Sequence, residues 1–271
     1  MRIVIYLLLL FAIGNGLSFA DAKPEPAEAK KVTISMNVKP NEARNYNLSF
    51  HLKGKAASES SAEPISLDAT YNMKMQLKYG LREGDGLLQL DIIASEARAT
   101  IDGQQFAMPT AEFPRLTLLI DNAWKVNNAF GIARTRYAER SPGLNYANLI
   151  MLYLIPDIDK AHVLGEAYKT RVKLPGFADE CSVTTTYKSV EDKKGVEVVN
   201  VHQDYVWTNQ KLDDGIVVDS TASVDSVIAI SGGKLISSHA ESKVDFRKSG
   251  TDDQRSGADQ ATTTIDISLI P

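Results

Sequence analysis

Cysteine is almost missing. Cys181 is the one thiol in 271 residues, which excludes an internal disulfide framework and any C-x-x-C metal or redox site. An excess of positive charge is missing too: 30 Lys+Arg stand against 34 Asp+Glu, a net charge of −4. With no basic face for a phosphate backbone, nucleic acid is not expected as a partner. Long hydrophobic runs are lacking beyond the amino terminus. The longest, Leu149 to Ile155, has seven residues, far short of the roughly 18 that span a bilayer. What remains is 44% hydrophobic and 24% charged, an ordinary globular composition that excludes disordered and fibrous classes.

Catalytic equipment is missing as well. His51, His162, His202 and His239 never fall within four residues of one another, so no H-x-x-x-H or H-x-E spacing offers a zinc site. His51, His202 and His239 lie in strand patterns and read as solvated or hydrogen-bonded strand residues. Sequence order alone leaves a Ser-His-Asp site open, but no G-x-S-x-G elbow exists after residue 22. Ser231-Gly232-Gly233-Lys234 fits S-x-x-K but reads as a hairpin turn. Asp157-Ile158-Asp159 and Asp252-Asp253 lack the calcium-loop spacing and read as solvated loops. We expect no enzyme, no metal and no cofactor.

The amino terminus is informative. Arg2 precedes an eleven-residue apolar run, Ile3 to Ile13, and Ala20-Asp21-Ala22 supplies an A-x-A cleavage site. Residues 1–22 therefore read as a signal peptide cleaved near Ala22, and the mature chain as extracytoplasmic, periplasmic or secreted. No Cys follows the run, so a lipidated amino terminus is not indicated. Residues 23–30 are rich in Pro, Ala and charge and read as a flexible leader. In an oxidising compartment a lone thiol is a liability unless buried, and Cys181 opens an alternating strand as a small core residue.

From Lys31 onward the dominant period is two. Leu67, Ala69, Tyr71, Met73, Met75, Leu77 and Tyr79 alternate with polar residues over thirteen positions, so one face is buried and one wet. One-sided burial points to antiparallel sheet. A hairpin turn at 82–86 leads to Leu88, Leu90, Ile92 and Ala94, after which the apolar parity switches to Ala97, Ala99 and Ile101. That switch predicts a β-bulge. Further strands are expected at 32–38, 45–53, 115–120, 181–190, 195–207, 261–270, and as a long pair around the Gly232-Gly233 turn within 215–247. Such long strands suit a broad, strongly curved sheet or half-barrel.

One segment breaks the period. Ser141-Pro142 reads as an N-cap with Pro at N1, Pro156 ends the segment, and the residues between are apolar on nearly every face. An apolar helix over 141–155 is expected, packed in or over the sheet. A loose duplication is also visible: Tyr79–Leu87 pairs with Tyr187–Val196 at an offset of about 108, and 116–126 with 227–236 at about 110.

This pattern of leader, alternating strands, mid-chain helix, Pro156-to-Gly165 segment, Gly232-Gly233 hairpin and closing Thr264-to-Leu269 strand resembles secreted bacterial β-rich proteins. Their sheets are similar to the half-barrel of lipoprotein carriers of the LolA/LolB type. The resemblance implies a curved antiparallel sheet with a helix in or over its concave face, and it transfers no functional residue.

The reading is therefore a mainly β, single domain over residues 31–271, with halves 31–135 and 163–271 joined by the 141–155 helix. Small inward residues (Ala69, Ala97, Ala99, Ala222, Ala240) leave room for a ligand. We expect a non-enzymatic protein that binds or carries an apolar ligand such as an acyl chain. Tyr146, Met151, Tyr153, Trp124 and Trp207 are its candidate lining residues. The alternatives are a structural or protein-interaction module of the cell envelope, recruiting an envelope protein by strand addition, and, less favoured, a hydrolase.

Overall fold

A computed structural model of the chain describes residues 29–56, 65–82, 84, 86–108, 115–122, 126–131, 160–173, 180–211, 216–248 and 260–271. The expected signal peptide, residues 23–28 of the leader and the expected 141–155 helix lie outside the described residues. Among the described residues there are fourteen strands and no helix. They are β1 Lys31–Thr33, β2 Ala43–Ala56, β3 Ile65–Arg82, β4 Leu88–Ile101, β5 Gln104–Ala107, β6 Leu116–Ile120, β7 Val126–Phe130, β8 Ala161–Val163, β9 Ala167–Lys173, β10 Glu180–Lys193, β11 Val196–Lys211, β12 Ile216–Ala229, β13 Leu235–Lys248 and β14 Gln260–Leu269. No described helix is long and apolar enough to cross a membrane.

Twelve strands form one antiparallel sheet in the order β7-β6-β4-β3-β2-β14-β13-β12-β11-β10-β9, with β5 added to β4. Nearly every neighbour is the next strand in sequence. Two pairings skip strands: β4 pairs β6, and β14 pairs β2, joining the two halves with Ile265 opposite Phe50 and Ile267 opposite Leu48. Burial follows the period of two: β14 reads alternately buried and wet over Ala261, Thr263, Ile265 and Ile267, as one-sided antiparallel strands should.

The parity switch in β4 is a register shift between Asn72 and Lys74, and Glu96 opposite takes a positive φ of 51°. A residue is skipped, and Ala97 and Ala99 return to the buried face occupied by Leu90 and Ile92.

The expected strong curl into a half-barrel is not what forms. The described sheet is open: its path ends at β7 and β9, and no pairing joins them. Those end strands have five and seven residues, whereas β3 has 18. Closure requires edge strands that match in length and stagger, and these two do not. Four short strands, β5, β7, β8 and β9, have only three to seven residues, too few for an alternation to stand out. Lys169 and Arg171 on β9 are exposed, as suits an edge strand that resists further pairing.

A two-stranded ribbon crosses the buried face. β1 pairs β8 with Val32 opposite His162, and Ser35 N–H then donates to Ile230 C=O at 3.1 Å. Val32 and Ile34 are buried in the main core, so this segment covers the sheet near the β12–β13 turn. His162 stacks on Tyr187 with ring centroids 4.3 Å apart, and Tyr168 meets it edge-on at 4.7 Å. The turn itself is Ser231-Gly232-Gly233, with positive φ at both glycines. The S-x-x-K match is therefore a hairpin. Buried Arg44 ties this turn to β2: it pairs with Glu42 at 2.7 Å, donates to the Gly232 carbonyl at 3.0 Å and lies 4.9 Å over the Tyr79 ring. Burial works against the Glu42 charge, but the Lys39 N–H and Arg44 outweigh it and hold the carboxyl below its usual range.

Candidate functional site

Cross-strand registers divide the buried face into rows. One row runs Tyr187, Val201, Ser226, Ser238, Ile267 and Leu48. The next runs Thr185, Gln203, Val224, Ala240, Ile265 and Phe50. A third runs Val183, Tyr205, Ala222, Ser242, Thr263 and Leu52. Large apolar side chains dominate the flanks. Small and polar ones gather in the middle, on β11 to β14.

On the opposite, wet face a groove of about 680 Å3 crosses β11 to β14 between the rows Asp204, Ser223, Glu241, Thr264 and Val206, Thr221, Lys243, Thr262. Ala222 and Ser242 share the face of Tyr205 and Thr263, yet they are half-buried while those two are fully buried. Of the small inward residues expected from sequence, Ala69, Ala97, Ala99 and Ala240 are buried and Ala222 is half-buried.

Six polar side chains face inward here, joined in cross-strand pairs. Gln203 Nε2 donates to Thr185 Oγ1 at 3.3 Å, Ser226 and Ser238 share a hydroxyl hydrogen bond at 3.0 Å, and Ser242 bonds Thr263. Gln203 is only 2% exposed. Sequence reading passed over these residues. The available signal was a polar residue on the apolar parity of a strand, as at Gln203 between Val201 and Tyr205.

Of the candidate lining residues, Trp207 is buried on β11 and stacks on Tyr205 with centroids 5.6 Å apart and planes 12° from parallel. It is part of the packed inward face. Trp124, Tyr146, Met151 and Tyr153 lie outside the described residues. Cys181 is buried, and burial pushes its thiol up to about 11. A thiol held protonated is neither nucleophile nor metal ligand.

The wet face carries the other histidines. His202, Asp225, His239 and Asp266 lie side by side across β11 to β14. Asp225 accepts from His202 Nδ1 at 3.0 Å and from Lys188 Nζ at 2.9 Å, while His239 Nδ1 meets Asp266 at 2.7 Å. Asp266 beside it raises the His239 pKa, and Glu241 adds to this. His51 meets Asp68 at 2.9 Å. All three are hydrogen-bonded strand histidines, and no group of His, Cys, Asp and Glu among the described residues has metal-binding geometry.

Comparison with known proteins adds little. No family model and no curated protein matches the chain. Among solved structures, DynF from the dynemicin biosynthesis pathway of Micromonospora chersina aligns over 94% of this chain and 92% of its own, at 6% identity and a TM-score of 0.23.

Proposed function

We propose that this chain is a non-enzymatic, extracytoplasmic binding protein that holds an elongated apolar ligand, such as an acyl chain, against the buried face of its sheet. The observation that carries the reading is the breadth of the apolar face: Leu48, Phe50, Leu52, Tyr71, Val183 and Tyr205 are all buried on one side of a twelve-stranded sheet. Ligand sites are mostly apolar with few polar groups, as are the rows from Tyr187 to Leu48 and from Thr185 to Phe50. Extracytoplasmic placement rests on the Ile3-to-Ile13 run and the Ala20-Asp21-Ala22 motif.

Strand addition to an envelope partner has weaker support. Of the two described edges, β9 presents Lys169 and Arg171 and β7 has only five residues, and edge charge and short length both oppose pairing with a further strand.

Native mass spectrometry of the purified chain, followed by solvent extraction, tests the proposal. A co-purifying apolar molecule, or uptake of an added acyl probe at one per chain, is expected. A clean apo mass together with no uptake would end the apolar-ligand reading.

A further inference from the structure

We infer that the groove on the wet face is a second binding site, for a free amino acid with an apolar side chain, and that its two rows of side chains take the ammonium and the carboxylate separately. This site does not depend on the apolar-ligand reading, which concerns the opposite face.

The groove holds about 680 Å3 across β11 to β14, and the registers order its side chains. Asp204, Ser223, Glu241 and Thr264 form one row, and Val206, Thr221, Lys243 and Thr262 form the next. Neighbouring strands lie about 4.8 Å apart, so Asp204 and Glu241 flank Ser223 at about 10 Å from each other. Two residues along a strand separate the rows by about 7 Å.

Charge divides the two rows. The first has two carboxylates and no cation. The second has the Lys243 ammonium and no carboxylate. All three charged side chains are more than half exposed, so a ligand in the groove reaches them. His202 Nε2 lies 3.4 Å from Asp204 and His239 Nε2 lies 3.5 Å from Glu241. Each contact engages one carboxylate oxygen of two, which steadies the acids without using their full accepting capacity. The ion pair of Lys243 with Asp245 is 3.9 Å long, beyond hydrogen-bond distance, so it does not occupy the three N–H donors of the lysine.

A primary ammonium above Ser223 meets the Ser223 hydroxyl and the carboxylates on either side, which suits its three N–H donors. A carboxylate above Thr221 meets the Lys243 ammonium and the Thr221 hydroxyl. An amine alone gains the first row but lies beside Lys243, and an acid alone gains Lys243 but faces two carboxylates. A zwitterion is complementary to both rows. The two charged groups of an α-amino acid sit on adjacent carbons, and a contact of about 2.8 Å at each end brings its reach to the row separation. Quaternary ammonium ligands are held by aromatic faces. The one aromatic residue along the groove, Tyr205, is buried on the other side of the sheet, which favours a primary ammonium. Val206 is 43% exposed and gives the groove its apolar side chain, a contact for an aliphatic ligand side chain.

Titration calorimetry on the full chain at pH 7.5 tests the site with L-leucine and two analogues of the same skeleton, isoamylamine without the carboxylate and isocaproate without the ammonium. Wild type is expected to bind leucine, and each analogue at least about tenfold more weakly, as loss of a charge-assisted contact implies. Glu241→Gln and Lys243→Met change exposed side chains and should keep the urea midpoint, yet each should weaken leucine binding at least about fivefold. Absence of leucine binding to wild type overturns the inference, and so does an analogue that binds as tightly as leucine. Unaltered leucine affinity in both variants does the same. The analogue series needs no variant, so it decides the matter even if a substitution impairs folding. Acyl-probe uptake on the buried face is a separate outcome that none of these results prejudges.

Discussion

Ala222→Leu asks whether the buried face has room beside half-buried Ala222 and whether an apolar ligand lies against it. The change adds three carbons to a half-buried side chain that faces Tyr205 and Ser242 across the sheet. Each buried CH2 is worth about 0.8 kcal/mol, so full burial of three would stabilise by about 2.4 kcal/mol. Ala222 is half-buried, and ordering the longer side chain costs about 0.5–1 kcal/mol. The expected net effect is a stabilisation of about 0.5–1.5 kcal/mol. A site already filled would respond with the opposite sign, because forcing methylenes into a packed core costs about 1–3 kcal/mol. Urea unfolding reads the difference as a higher or lower midpoint with unchanged slope. The same variant should lose at least tenfold in affinity for an acyl probe. Destabilisation beyond about 1 kcal/mol would mean that there is no free volume. Stabilisation with full retention of the probe would mean that the volume exists and the ligand sits elsewhere.

Arg44→Met keeps the aliphatic stem over Tyr79 but strands Glu42 and the two glycine carbonyls of the β12–β13 turn. It should cost about 3 kcal/mol, the low end for breaking a buried pair because Glu42 is partly exposed; an unmoved urea midpoint would refute that anchor. Burial disfavours the Asp91 charge, yet Arg115, Thr117 and Gln89 overcome it and hold the carboxyl low. Its contribution is therefore present above the unfolded value near 4 and lost as pH falls through the depressed folded value. Asp91→Asn should cost about 2–3 kcal/mol at pH 7, a gap that narrows in acid; a constant gap from pH 7 to pH 2.5 would contradict the linkage. His239 has the reverse sign, since Asp266 raises its pKa. Its small contribution is complete below about 6.5 and lost as pH rises through the folded value. The wild-type midpoint should therefore decline more between pH 5.5 and 8.5 than that of His239→Gln, and parallel profiles would dismiss the pair.

Much of this architecture was visible in residue order because a strand writes its own period. Leu67 to Tyr79 alternates, and β3 spans it. Gly232-Gly233 turns where left-handed backbone is needed, and the Ala94-to-Ala97 parity switch marks a bulge that pairing with β3 confirms. These are local properties, set by pleat and turn geometry within a few residues. The buried state of Cys181 and the cross-strand bonding of His51, His202 and His239 follow from the same periodicity. What local order does not contain is register across the sheet. That β14 joins β2 to make one sheet of two halves, that Gln203 meets Thr185, and that Ser226 meets Ser238, depend on many weak cross-strand pairs summed over distant segments. Openness was likewise a tertiary outcome, decided by end strands whose lengths do not match. The short edges β7 and β9 were hidden because strands of five and seven residues are too short for an alternation to stand out. The half-burial of Ala222 has the same origin: a sequence shows that a side chain is small, but only the packed sheet decides how far its neighbours cover it.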